Sequence, residues 1–185
     1  GSAQAALATR RILDIDTTTK PLYGKQEGAQ VSYNPKKPGR PSHALHTYWV
    51  ANLRLVLDVI VSPGKSHSAG KALPGLTEIL DQLQPQQRPA LVRGDCGFGN
   101  EPFIAELEER NQTYLFKLRQ TAGVKKLLSR QFARDDWSTP GPADQGWSAV
   151  EDTLKLSGWE KARRVIVLRR AVKSDLVLSR KAQPS

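Results

Sequence analysis

Two aspartates stand at the ends of two apolar strands: Asp16 in Leu13-Asp14-Ile15-Asp16-Thr17-Thr18, and Asp95 in Leu91-Val92-Arg93-Gly94-Asp95-Cys96-Gly97-Phe98. A carboxylate that closes a buried strand sits where side chains turn from the core towards a crevice. In open α/β sheets that edge is where ligands bind. Two such groups on neighbouring strands can share a hard divalent cation, because Mg²⁺ takes one or two carboxylates together with waters and substrate phosphate. Asp14 lies two residues before Asp16 and therefore on the same strand face. Charge on a buried strand is costly unless it is paired, hydrogen-bonded or metal-bound, and either aspartate alone could instead bond the amides of the following loop. Asp16 is the favoured ligand because it closes the strand, with Asp14 in reserve. Gly94, Gly97 and Gly99 surround Asp95 and let the backbone approach a ligand closely.

The remaining reactive side chains fit other chemistries poorly. Cys96 has no histidine beside it in sequence and a carboxylate as its neighbour, so a nucleophilic thiolate is not expected. His43, His46 and His67 lack zinc spacing and no cysteine set accompanies them. His67, just after a strand end, could approach the site or a phosphate, or be an ordinary loop residue. The run Gly94 to Gly99 is neither a Walker loop nor a dinucleotide fingerprint, so no nucleotide cofactor is implied.

The chain carries 28 Lys+Arg against 18 Asp+Glu, a formal charge of +10, which favours a polyanionic partner such as nucleic acid. Two stretches concentrate it. Thr17 to His43 holds Lys20, Lys25, Lys36, Lys37 and Arg40 against one acid, Glu27. Lys161 to Lys181 holds eight basic residues, among them Arg163, Arg164, Arg169 and Arg170, against Asp175 alone. Both suit phosphate contacts that ignore base sequence; the alternative is a solvated surface. Trp137, Trp147 and Trp159 could stack on unpaired bases, although a small core of their own explains them better.

The elements that must position these groups follow from periodicity. Residues 10–16 read as a first strand, Thr17 to His43 as a long polar loop, and Thr47 to Ala51 with Leu55 to Val61 as a hairpin. Leu73, Leu76, Ile79, Leu80 and Leu83 have helical spacing. Ala90 to Asp95 is a short buried strand, and Asn100 caps a helix bearing Phe103, Ile104 and Leu107. A strand at Thr113 to Leu118 and a helix around Val124 to Phe132 follow. The order β-β-β-α-β-α-β-α describes an α/β domain with a mixed sheet. Past residue 133 the texture changes to a Pro- and Gly-rich turn and two strands, Trp147 to Leu156 and Arg164 to Leu168, which read as a separate β-hairpin lobe.

With 185 residues there is room for one domain and a small second lobe. The expected division is 1–9, a cloning scar and leader beginning Gly1-Ser2-Ala3; 10–133, the α/β core; and 134–185, the β-rich region with its basic tail. One cysteine demands no oxidising compartment, and no apolar run approaches the roughly 20 residues of a bilayer span. The absence of Met fits an excised fragment, and the expected setting is cytoplasmic.

Together, Leu13-Asp14-Ile15-Asp16-Thr17-Thr18, Pro21-Leu22-Tyr23-Gly24-Lys25-Gln26-Glu27-Gly28-Ala29 and Arg93-Gly94-Asp95-Cys96-Gly97-Phe98 resemble the DDE transposases of bacterial insertion sequences, in particular the 1380 family of insertion elements. The resemblance implies a ribonuclease-H-like core interrupted by a β-rich insertion, with Asp16 and Asp95 as the first two carboxylates of the triad. It implies metal-dependent DNA cleavage and strand transfer with two Mg²⁺ or Mn²⁺ ions roughly 4 Å apart. Implied partners are transposon ends and target DNA, with no membrane, a possible homodimer of the intact protein and a bacterial, nucleoid-associated setting. The third carboxylate, a Glu on a later helix, does not carry over: Glu151 and Glu160 fall inside the apparent insertion. The expectation is therefore a truncated and inactive catalytic domain whose Glu lies beyond residue 185. A non-catalytic DNA-binding module of the same fold is the alternative. A nuclease of another kind would need Glu101, Glu106 or Asp58 as the third acid.

Overall fold

The structure is a computed structural model that describes residues 11–32, 37–66 and 69–171. Lys36, His67 and the basic tail from residue 172 onward lie outside the described residues. Among those described, no helix is long and apolar enough to cross a membrane. The chain divides into two units between Arg119 and Gln120.

The first unit is built on a six-stranded mixed sheet. Strand β1 (Ile12–Pro21) lies at its centre. It pairs antiparallel with β3 (Pro41–Val50) on one side and parallel with β5 (Leu91–Gly94) on the other. Beyond β3 run β4 (Leu55–Pro63) and the two-residue β2 (Gln30–Val31), both antiparallel to it. Strand β6 (Tyr114–Phe116) continues the parallel half beside β5. An antiparallel half followed by a parallel half, with β1 between them, is the mixed sheet expected of a ribonuclease-H-like core.

Helices α1 (Ala69–Gln82) and α2 (Glu101–Glu109) supply the apolar counterpart. Leu13 and Ile15 of β1, Tyr48 and Val50 of β3 and Val92 of β5 meet Leu76, Ile79 and Leu80 of α1 and Phe103 and Leu107 of α2 in one buried cluster. Because strand side chains alternate, the residues between Leu13, Ile15 and Thr17 point to the opposite face. That places Asp14 and Asp16 away from the helices.

The long loop expected from Thr17 to His43 is shorter than its composition suggests. Strand β1 runs on to Pro21 and β3 begins at Pro41, with Thr17 opposite His46 and Pro21 opposite Ser42. The three β-branched threonines favour extended backbone, but they carry no apolar alternation to announce it. Pairing with β3 decides the outcome, and β2 occupies part of the remaining connection.

The second unit comprises α3 (Ala122–Phe132) and an antiparallel hairpin of β7 (Trp147–Leu154) and β8 (Arg163–Arg170). The β-rich lobe is present, and α3, which the sequence joins to the core, falls on the lobe's side of the division. The reason is local: Val124, Leu127, Trp137, Val150, Trp159, Val165 and Val167 of this unit are buried. Arg130 and Gln131 of α3 both donate to Asp152 of β7. Trp137 and Trp159 are thus core residues, while Trp147 is 41 % exposed.

Candidate active site

The parallel register of β1 and β5 builds the site. Ile15 is opposite Gly94, so Asp95, the residue that follows β5, comes level with Asp16. Asp16 stands in the middle of β1 and does not close it, because pairing with β3 carries that strand on to Pro21. Neighbouring strands lie about 4.8 Å apart. Gly94 permits this approach: a Cβ there would stand 2.8 Å from Phe98 Cδ2 and 3.0 Å from Ile15 Cγ1.

Asp16 is exposed, and its Oδ2 accepts from the Thr18 hydroxyl at 2.9 Å. Asp95 is also exposed, and its Oδ1 accepts from the Gly97 amide at 2.8 Å, which fixes the carboxylate against the turn that leaves β5. Asn100 braces the same turn from below. Its amide donates to the Gly97 carbonyl at 2.9 Å and its Oδ1 caps α2 by accepting from Phe103 N at 3.4 Å. Asn100→Ala is expected to cost about 1 kcal/mol, the usual worth of an N-cap, as a lowered midpoint in thermal unfolding.

Asp14 is differently placed. It is 8 % exposed and both of its oxygens are taken: Oδ1 by Arg93 Nε at 2.6 Å and Oδ2 by Arg93 Nη2 at 2.8 Å. These hydrogen bonds also hold the Arg93 guanidinium protonated above its ordinary range. The reserve ligand is therefore committed to a bidentate ion pair.

Asp95 lines a pocket of about 180 Å³ together with Thr17, Cys96, Gly97 and Arg119. Thr17 shares a 2.9 Å hydrogen bond with Nδ1 of His46, a fully buried residue of β3. The sequence reading missed Thr17 and Arg119 as site residues. The position of Arg119 three residues past the end of a parallel strand was the available signal.

The three acids considered as a further ligand are engaged elsewhere. Glu106 accepts from Arg110 at 2.7 Å, Asp58 accepts from the Val59 amide on β4, and Glu101 opens α2. Among the described residues no group of three His, Cys, Asp or Glu side chains is placed to hold a metal.

The basic candidates divide sharply. Lys20, Lys25 and Lys37 are exposed, and Arg40 lies over the Tyr23 ring at 4.4 Å. Arg163 is 6 % exposed beneath Trp159, which withdraws it from any phosphate. Arg164 is exposed but forms a bidentate pair with Glu151. Arg169 lies over Trp137 at 4.0 Å and Arg170 over Trp147 at 5.1 Å.

A model of the family described as the transposase DDE domain matches residues 7–167. No curated protein matches the sequence. Among solved structures, the chain is similar to the piggyBac transposase in its synaptic complex with hairpin DNA, at 17 % identity and TM-score 0.45, covering 85 % of this chain and 32 % of that one. It is similar to the Mos1 mariner paired-end complex with Mn, at 18 % identity and TM-score 0.40, covering 67 % and 48 %. It is also similar to the HTLV-2 integrase catalytic core in complex with magnesium, at 14 % identity and TM-score 0.39, covering 65 % of each chain. The chain thus spans between 32 % and 65 % of the length of these three chains.

Proposed function

The chain belongs to the transposase DDE-domain family, and from that premise we propose that Asp16 and Asp95 form a divalent-metal site for DNA strand cleavage and strand transfer. The observation that supports this reading is the parallel register of β1 and β5, whose last pair, Ile15 with Gly94, is followed by Asp16 on one chain segment and Asp95 on the other.

The donor set suits Mg²⁺ or Mn²⁺. Both groups are exposed carboxylates, and each uses one oxygen in the hydrogen bonds described above, leaving the other for an ion. Such ions keep several waters and are held by one or two carboxylates plus substrate phosphate. When bound, they supply activation of a hydroxyl for attack on phosphorus and charge stabilisation at the departing oxygen. The protein's own part is orientation. The Thr18 hydroxyl steadies Asp16, and the Gly97 amide steadies Asp95.

Nucleic acid is the substrate class that the net charge of +10 favours. Lys20, Lys25, Lys37 and Arg40, which follow Asp16 in sequence and are exposed, would meet backbone phosphates. On the hairpin unit the same role falls to Arg169 and Arg170 rather than to the buried Arg163 or to Arg164, which Glu151 already holds.

The test is to titrate Mn²⁺ into the wild-type chain, Asp16→Asn and Asp95→Asn, following heat or paramagnetic broadening. Saturable binding that both substitutions abolish is expected. Binding unchanged by both would overturn the assignment, and DNA binding that ignores both would leave a non-catalytic DNA-binding module.

A further inference from the structure

The pocket at Asp95 contains a cation with no acidic partner. Arg119 lines it together with Thr17, Asp95 and Gly97, and the residue is exposed. Among the described residues its guanidinium makes no ion pair, unlike Arg93, Arg110, Arg130, Arg134 and Arg164, each of which is matched to a carboxylate. Arg119 and Asp95 thus line one small cavity and form no ion pair with each other. Space is left between them for a third group.

That group must satisfy both. Its anionic face would meet Arg119, and its other side must tolerate Asp95, which calls for a bridging cation. A phosphodiester bound to a divalent ion meets both conditions. The volume of about 180 Å³ equals about six waters at 30 Å³ each, enough for a phosphate group with part of its hydration. The planar fork of arginine matches two phosphate oxygens at once, which a lysine ammonium does not. Topology explains how Arg119 arrives there. Strand β6 is parallel to β5, so the residues that follow both strands emerge at the same edge of the sheet.

We propose that Arg119 grips a backbone phosphate of the DNA strand being processed and holds it against the metal-bearing Asp95. This rests on the metal-site reading of Asp16 and Asp95, and it adds a substrate contact from a third strand.

The experiment measures affinity for a labelled DNA duplex as a function of salt, with Mn²⁺ present. The proteins compared are wild type, Arg119→Gln, Arg119→Lys and Arg54→Gln. Arg54 is an exposed cation in the turn between β3 and β4, at the opposite end of the sheet, and serves as the control for lost charge. Arg119→Gln is expected to bind about tenfold more weakly at low salt, as for a lost charge-assisted hydrogen bond. Its slope of log affinity against log salt should fall by about 0.9, one phosphate contact. Arg119→Lys should recover the slope but only part of the affinity, and Arg54→Gln should change neither. The Mn²⁺ affinity of Arg119→Gln should remain that of wild type, which separates a phosphate contact from damage to the metal site.

A wild-type slope and affinity in Arg119→Gln would overturn the proposal. So would an Arg119→Lys protein as weak and as flat in salt as Arg119→Gln. If Asp16→Asn and Asp95→Asn keep their Mn²⁺ while Arg119→Gln still loses one unit of slope, the phosphate contact is supported and the metal reading alone fails.

Discussion

Asp14→Asn is expected to lose about 2 kcal/mol of stability and keep its metal, whereas Asp16→Asn is expected to lose metal binding with stability unchanged to within about 0.5 kcal/mol. The two residues are two apart on one strand face, so composition and periodicity treat them alike. Their surroundings do not. Asp14 has a side chain only 12 % exposed and fills the fork of Arg93 with both oxygens. An asparagine offers one acceptor there and turns its amide N–H groups towards a donor. Because the Arg93 side chain is 47 % exposed, water recovers part of the loss, which keeps the cost below the 3–5 kcal/mol typical of breaking a fully buried pair. Asp16 makes one side-chain hydrogen bond, to an exposed threonine, and has the like charge of Asp95 as its neighbour. Neutralising it relieves repulsion, the usual relation between a functional site and stability. Thermal unfolding beside a Mn²⁺ titration checks both halves. A drop of about 2 kcal/mol should lower the Asp14→Asn midpoint by roughly 4–8 °C in a chain of this size. Equal stability losses in the two variants, or metal lost from Asp14→Asn alone, would refute the division of roles.

What could be read from the residues was whatever has a short period. Leu13, Ile15, Val92 and the helix rows of α1 and α2 announced their elements, and Asp16 and Asp95 were visible because each interrupts an apolar run at its end. What could not be read was set by pairing at long range. Nothing near Asp14 indicates that Arg93, 79 residues later, will take both of its oxygens; only the parallel register of β1 with β5 does that. The strand character of Thr17 to Pro21 is likewise fixed by β3 and not by its own polar composition. The basic segments show the same limit. Charge is legible residue by residue, but the cross-strand partners that bury Arg163 or pair Arg164 with Glu151 appear only once β7 and β8 are in register. Arg119 stood in plain view, and its meaning depended on Thr17 and Asp95 arriving at the same pocket.

Gly75→Ala is expected to destabilise the first unit by about 2 kcal/mol and Gly75→Val by about 3 kcal/mol or more, even though alanine in a helix interior is ordinarily favoured over glycine by about 1 kcal/mol. Gly75 is buried in α1, where the helix crosses the sheet. A Cβ there would stand 2.6 Å from Tyr48 Oη and 2.9 Å from Tyr48 Cζ, and would collide with Ile60 of β4 as well. Tyr48 has little freedom to retreat. It is fully buried, and its hydroxyl donates to the Ala72 carbonyl one turn earlier in α1 at 2.5 Å. Burial and the nearby charge of Asp58 also keep that hydroxyl protonated far above the ordinary phenol range. The added methyl must therefore push the helix away from β3 or break the Tyr48 bond, and either loosens the packing behind the central strand that carries Asp16. Denaturant unfolding of Gly75→Ala in wild-type and Tyr48→Phe backgrounds isolates the cause. Removing the hydroxyl relieves the 2.6 Å collision with Tyr48, while the closer one, with the flexible end of Ile60, remains. The glycine substitution should therefore cost about 1 kcal/mol less in the Tyr48→Phe protein, a coupling of the size expected for residues in contact. If Gly75→Ala instead stabilises the protein by the ordinary helix-propensity gain, then α1 has room at this crossing and the close approach of helix and sheet is not what holds β3 in place.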